Sequence, residues 1–118
     1  MPRNAKCRRV CQMPAYCRFS PDHPAERETV TLTVEEFEAV RLVDYLGLTQ
    51  EEAAAQMEVA RTTVQRIYAQ ARRKLAAFLV EGRALSIDGG SYALCQHSGG
   101  CGRTCGWCHP AHRKEITP

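Results

Sequence analysis

Four cysteines at positions 95, 101, 105 and 108 form the pattern C-x5-C-x3-C-x2-C, with His97, His109 and His112 interleaved. Thiolates and imidazoles are the ligands of tetrahedral zinc sites. The surrounding stretch, CQHSGGCGRTCGWCHPAH (residues 95–112), is polar and glycine-rich. It cannot offset its ordering entropy by burying apolar area. A metal ion can, since zinc contributes roughly 10–16 kcal/mol to small finger-like sites at neutral pH. The expected ligands are Cys95, Cys101, Cys105 and Cys108, with His109 as the substitute, closing a structural zinc site. Four thiolates suit a [4Fe–4S] cluster as well, and a disordered tail with free thiols is the third reading.

C-x3-C-x2-C with Trp107 also has the outward form of the radical S-adenosylmethionine cluster motif. That chemistry needs a large barrel around its substrate, and 118 residues leave no room for one. Cys7, Cys11 and Cys17 form C-x3-C-x5-C, without the two-residue knuckle of most zinc sites and one ligand short unless His23 joins them. The segment CRRVC (7–11) reads instead as a short basic strand whose cysteines pack as small hydrophobes. Seven cysteines in a chain expected to be cytoplasmic argue against a disulfide framework.

The rest of the chain must carry the tail. Its 44% hydrophobic and 25% charged residues are those of an ordinary globular protein, so one modest core is expected. No run approaches the roughly 20 apolar residues of a membrane span, and MPRNAKCRRVC has cations without the apolar region of a secretory signal. Three domains are expected: a basic arm over 1–28, a helical domain over 29–90 and the Cys/His-rich tail over 91–118. In LTVEEF and LTQEEA, Thr33 and Thr49 are each followed three residues later by glutamate, the reciprocal capping box. The spacing predicts helices over 34–46, ending near Gly47, over 50–57, and over 61–81, with Gly82 at the stop. In the first, Phe37, Val40, Val43 and Leu46 form the stripe, widened by Ala39 and Leu42. TVTL (29–32) and ALSI (84–87) are β-prone and expected to pair, and a Gly-Gly turn comes after them.

Residues 50–67, QEEAAAQMEVARTTVQRI, resemble a helix-turn-helix. Ala54 stands where the two helices meet too closely for a larger side chain, Val59 plugs the turn, and Val64 and Ile67 anchor the second helix. Glu58 occupies the turn position that commonly holds glycine at positive φ, at a cost of about 1 kcal/mol. Ala60 replaces the usual N-cap hydroxyl. A helical hairpin packing its own core would explain the apolar positions equally well, but not the opposite face of the third helix. Steps of 100° from Val64 gather Thr62, Gln65, Arg66, Ala69, Gln70 and Arg73 there. Gln can bond adenine and Arg guanine in a major groove.

Charge is segregated to match. Residues 1–20 and 61–74 carry five cations each and no carboxylate, whereas 33–58 hold seven acids against Arg41. Such segregation suits a chain with one face on a polyanion. The expected DNA contacts are Gln50, Arg61, Thr62, Thr63, Gln65, Arg66 and Ala69 at the groove. Arg72, Arg73 and Lys74, with Arg8 and Arg9 of the arm, are expected on phosphates.

Three separated segments, MPRNAKCRRVC, LTVEEFEAVRLVDYLGLTQEEAA and FLVEGRALSIDGG, resemble in order a prokaryotic family catalogued as domain of unknown function 134. IYAQARRKL also resembles the end of the promoter-reading domain of sigma factors. The resemblance covers residues 1 to about 90 and implies a DNA-binding protein with a sigma-like helix-turn-helix.

The expected fold is therefore mostly α, with a small β-element and a metal-binding tail. The expected function is sequence-specific transcriptional regulation on double-stranded DNA, with RNA polymerase a candidate partner and a homodimer one of the open oligomeric states. No nucleophile–base pair, carboxylate pair or phosphate loop is visible, so an enzyme is not expected. The competing reading is a metal or iron–sulfur redox sensor or carrier whose helical domain docks a protein.

Cys105 belongs to every ligand set that can be drawn. Cys105→Ser is expected to abolish stoichiometric metal, measured as metal per chain in the purified protein. Retention of one ion per chain would sink the site. Chelation of the native protein should leave amide exchange protection across residues 34–81 unchanged.

Overall fold

The computed structural model describes residues 8–94. Its elements are β1 (Arg8–Val10), β2 (Arg18–Phe19), β3 (Val30–Leu32), α1 (Val34–Val40), a π-helical turn (Arg41–Tyr45), α2 (Gln50–Met57), α3 (Arg61–Glu81), β4 (Leu85–Ile87) and β5 (Tyr92–Leu94). Three helices thus stand beside two small sheets.

β3 runs parallel to β4, pairing Val30 with Leu85 and Leu32 with Ile87. This is the expected TVTL–ALSI pairing. Parallel strands need a long crossover, and here the crossover contains every helix of the described residues. β2 adds to the other edge of β4 in the antiparallel sense. β1 and β5 form a separate parallel pair, with Arg9 opposite Ala93. The arm, read from its prolines as irregular, therefore supplies a strand to each sheet. Its apolar content is too sparse for a period-2 signal, and both pairings are long-range. Arg8–Val10 of CRRVC does become a strand with Cys11 buried beyond it, but Cys17 is exposed, and Cys7 lies outside the described residues.

Both capping boxes form. Thr33 Oγ1 accepts from the Glu36 N–H, and the Glu36 carboxylate accepts from the Thr33 N–H. Thr49 and Glu52 repeat the exchange. The α1 N-terminus docks on the Gly-Gly turn, where the Val34 N–H reaches the Gly89 carbonyl and the Ser91 N–H reaches the Glu35 carboxylate. Gly90 has φ +107°, and a Cβ there would strike the Glu35 carboxylate.

The first helix departs from expectation after Val40, where the backbone widens to π geometry and the Leu46 N–H bonds the Arg41 carbonyl at 2.9 Å. The chain then turns at Gly47, with φ +79°. The apolar stripe splits across two cores. Phe37 and Val40, half-buried, pack on the sheet cluster of Val10, Val30, Leu32, Val34, Ala71, Leu85 and Ile87. Ala39, Leu42 and Leu46 enter the helical cluster with Leu48, Ala53, Ala54, Met57, Val64 and Ile67. Ala39 and Leu42, expected at the margin of the stripe, are its centre and have no exposure.

Between the cores lies a buried polar knot. Glu38, with no exposure, accepts two bonds from the Arg41 guanidinium at 2.8 and 2.9 Å and one from the Cys11 N–H at 3.1 Å. Gln56, also buried, donates to the Cys11 sulfur. Glu38→Ala would leave a buried guanidinium without its main carboxylate. We expect a loss of about 3–5 kcal/mol, checked by urea denaturation. A loss under about 1 kcal/mol would show that the knot is dispensable.

Candidate nucleic-acid interface

α2 and α3 are joined by residues 58–60, and the geometry of that turn fixes the angle between them. Glu58 sits at φ 61°, ψ 44°, in the left-handed region anticipated from its position. The Glu58 N–H bonds the Ala55 carbonyl at 3.2 Å and the Val59 N–H bonds the Ala54 carbonyl at 3.0 Å. These are the paired bonds of a Schellman ending, normally built on glycine. Val59 packs half-buried on the helical cluster, and Val64 and Ile67 lie beneath α3 in that cluster. Ala54 is buried with them.

α3 presents the face expected from its periodicity. Arg61, Thr62, Gln65, Arg66, Ala69, Gln70, Arg72 and Arg73 are exposed, while Thr63 is half-buried. No carboxylate occurs on α3 before Glu81. Ala60 caps the helix with extended backbone and no side-chain bond, so its first-turn N–H groups lack a side-chain acceptor. Gln50 at the start of α2 shares a shallow polar concavity with Thr49, Glu51, Arg61 and Gln65. Sequence reasoning missed Thr49 and Glu51 here. Their position in the first turn of α2, beside Gln50, was the available signal.

The remaining basic residues are not equivalent. Arg72 lies over the Tyr68 ring, 5.4 Å from its centroid, and donates to the Tyr68 hydroxyl at 3.0 Å. That hydroxyl donates to Asp44 at 2.7 Å. Burial, then the Asp44 hydrogen bond and charge, pushes the Tyr68 phenol above its ordinary value, so it is a neutral donor at pH 7. Lys74 is held by Glu36 at 2.7 Å. Arg9 donates through Nε to the Gln56 carbonyl at 3.0 Å and pairs through Nη1 with Glu58 at 3.1 Å. Arg8 Nε is buried without a hydrogen-bond partner among the described residues. Arg61, Arg66 and Arg73 form no hydrogen bond or ion pair among the described residues. The structure thus gathers Gln50, Arg61, Thr62, Gln65, Arg66, Ala69 and Arg73 on one side and ties Arg9 and Lys74 to carboxylates.

Cys95, Cys101, Cys105, Cys108 and His109 lie outside the described residues. Within those residues no cluster of His, Cys, Asp and Glu could hold a metal ion. No helix among them is long and apolar enough to cross a membrane.

Three helices with two small sheets, two of the helices joined by a three-residue turn, define the class of fold. The family model described as "Protein of unknown function DUF134" matches residues 1–95, and the chain belongs to that family. It is 51% identical over 108 residues to a UPF0251 protein of Desulfitobacterium hafniense (strain Y51), covering 89% of this chain and 86% of that one. It is 44% identical over 122 residues to a UPF0251 protein of Pelotomaculum thermopropionicum, covering 100% and 92% respectively. A Caldicellulosiruptor saccharolyticus relative is 46% identical over 124 residues, at 98% and 88% coverage. No solved structure matches the chain.

The uncapped start of α3 can be tested directly. Ala60→Ser would place a hydroxyl where it can accept from the N–H two or three residues on. A gain of about 1 kcal/mol is expected in denaturant midpoint measurements. No gain would mean that these N–H groups already have an equivalent acceptor.

Proposed function

We propose that the protein is a sequence-specific DNA-binding transcriptional regulator that reads the major groove with α3. The observation that carries this reading is the outer face of α3, a solvent-facing surface of short polar residues and arginines without a carboxylate. A helix serving only its own core has no need of such a face. At the N-terminal end, Thr62, Gln65 and Arg66 offer base-edge contacts, Gln to adenine and Arg to guanine. Glu51, in the same concavity, would accept from a cytosine amino group. Ala69 lets the groove wall approach. The bare N-terminus of α3 and its dipole favour a phosphate beside Arg61. Further along, Arg73 and Arg72 reach phosphates, and Arg72 is steered there by Tyr68. Arg8 and Lys74 are contacts of lower availability, since one is partly buried and the other is paired with Glu36.

The likeness of α2 and α3 to the promoter-reading domain of sigma factors belongs to the same proposal, as do RNA polymerase as a partner and action in the cytoplasm. The reading assigns no catalytic residue. For the tail we propose a closed zinc site of Cys95, Cys101, Cys105 and Cys108, with His109 as substitute and a [4Fe–4S] cluster as the alternative. The donor set fits either group, and its role would be to hold the tail together.

Selection of bound fragments from random DNA tests the reading. Gln65→Ala and Arg66→Ala are each expected to weaken binding to the selected site by about 1–3 kcal/mol and to relax the preferred bases. Both variants selecting the same sites at unchanged affinity would remove α3 from the interface.

A further inference from the structure

The arm makes a contact that neither the helical core nor a DNA backbone requires. Arg9 stands in the middle of β1, and its guanidinium crosses to the end of α2, 47 residues away in sequence, where Nε meets the Gln56 carbonyl at 3.0 Å. Nη1 meets the carboxylate of Glu58, the one non-glycine residue with positive φ among the described residues, at 3.1 Å. Gln56 contributes one of the last-turn carbonyls of α2. A cation there also meets the negative end of the helix dipole. One guanidinium therefore meets a last-turn carbonyl, a helix terminus and the carboxylate of the strained residue.

The support behind Arg9 is firm. β1 is hydrogen-bonded alongside β5, and the Cys11 N–H beyond it is held by the buried Glu38 carboxylate. The turn in front of it is the joint on which α3 pivots, because residues 58–60 alone separate the two helices. The left-handed conformation at Glu58 is disfavoured for any residue with a Cβ and needs outside support to persist.

We infer that Arg9 is a positioning residue of the nucleic-acid interface. It braces the α2–α3 turn in its left-handed form and so sets the pitch of α3 in the groove, without touching DNA. This rests on the DNA-reading proposal, but the brace itself can be measured without DNA.

The experiment compares wild type, Arg9→Ala, Glu58→Gln and the double variant Arg9→Ala/Glu58→Gly, each as the full chain. Two quantities are read on DNA: the ratio of affinities for the selected site and for random duplex, and the salt dependence of binding. Arg9→Ala should lower the ratio about tenfold while leaving the salt slope unchanged. Glu58→Gln should move the ratio in the same direction, by less, and it keeps the side chain's shape if Arg9→Ala folds poorly. Glycine at 58 takes the left-handed conformation freely, so the double variant should recover most of the ratio. If Arg9→Ala instead weakens all sequences equally and flattens the salt slope by about one unit, Arg9 contacts phosphate and the brace is wrong. Failure of the double variant to recover would also overturn it. A wild-type protein with no sequence preference would defeat the DNA reading alone. Amide exchange then decides the brace. The Glu58 and Val59 amides should exchange faster in Arg9→Ala than in wild type, with α1 unaffected. Unchanged rates there would refute it.

Discussion

The carboxylate of Glu38 has no contact with solvent, yet three parts of the chain converge on it. Taking a carboxylate and a guanidinium out of water costs several kcal/mol for each ion, recovered only when geometry and hydrogen bonding are good. Here the Arg41 fork supplies two bonds and the Cys11 N–H a third. The knot demands that α1, the π turn that Arg41 begins, and the arm beyond β1 all be in place together. Hydrophobic contact alone would let the arm slide. A desolvated carboxylate does not, because every misplacement leaves charge unanswered. Arg9 can brace the far turn only because the backbone two residues later is fixed in this way.

The first helix serves two cores. Val34, Phe37 and Val40 serve the sheet, whereas Ala39, Leu42 and Leu46 serve α2 and α3. A straight α-helix carries one stripe along its length. One extra residue in the ladder, closed by the Leu46-to-Arg41 bond, rotates the residues beyond the π turn relative to those of α1. The division between the cores begins before that turn, since Ala39 in α1 already faces the helical cluster while its neighbour Val40 packs on the sheet. π turns of this kind often mark functional places in proteins. In this chain the turn leads into Gly47 and the start of α2, one wall of the polar concavity.

The features legible in the sequence were local. Capping boxes at Thr33 and Thr49, the glycine stops at 47 and 82 and the strained Glu58 each depend on a few neighbouring residues, and each appeared where the residue types required. α2 and α3 have the bounds their periodicity predicts. The π turn was not legible, because the apolar periodicity of residues 34–46 continues through it without a break. Nor were β1, β2 and β5 assigned their partners. These strands lack the β-prone runs of TVTL and ALSI, and their pairing is decided by the elements that already lie beside them. The exposed face of α3 was legible from 100° steps. The fate of individual cations was not.

Residues 61–74 contain five cations without an acid, which on charge alone makes a uniform patch. Folded, they divide by the groups across from them in space. Lys74 faces Glu36, whose carboxylate also closes the α1 capping box, so releasing Lys74 to a phosphate would leave that buried cap carboxylate beside no cation. Arg72 is held at Tyr68 by the ring and by a hydroxyl that itself donates to Asp44, and it keeps its remaining donors for an outside acceptor. Arg61, Arg66 and Arg73 make no such bond among the described residues. The acidic segment 33–58 is therefore more than a solvated counterweight to the basic one. Through Glu36, Asp44 and Glu58 it engages Lys74, the Tyr68–Arg72 pair and Arg9, and leaves a narrower set of arginines on the open face of α3.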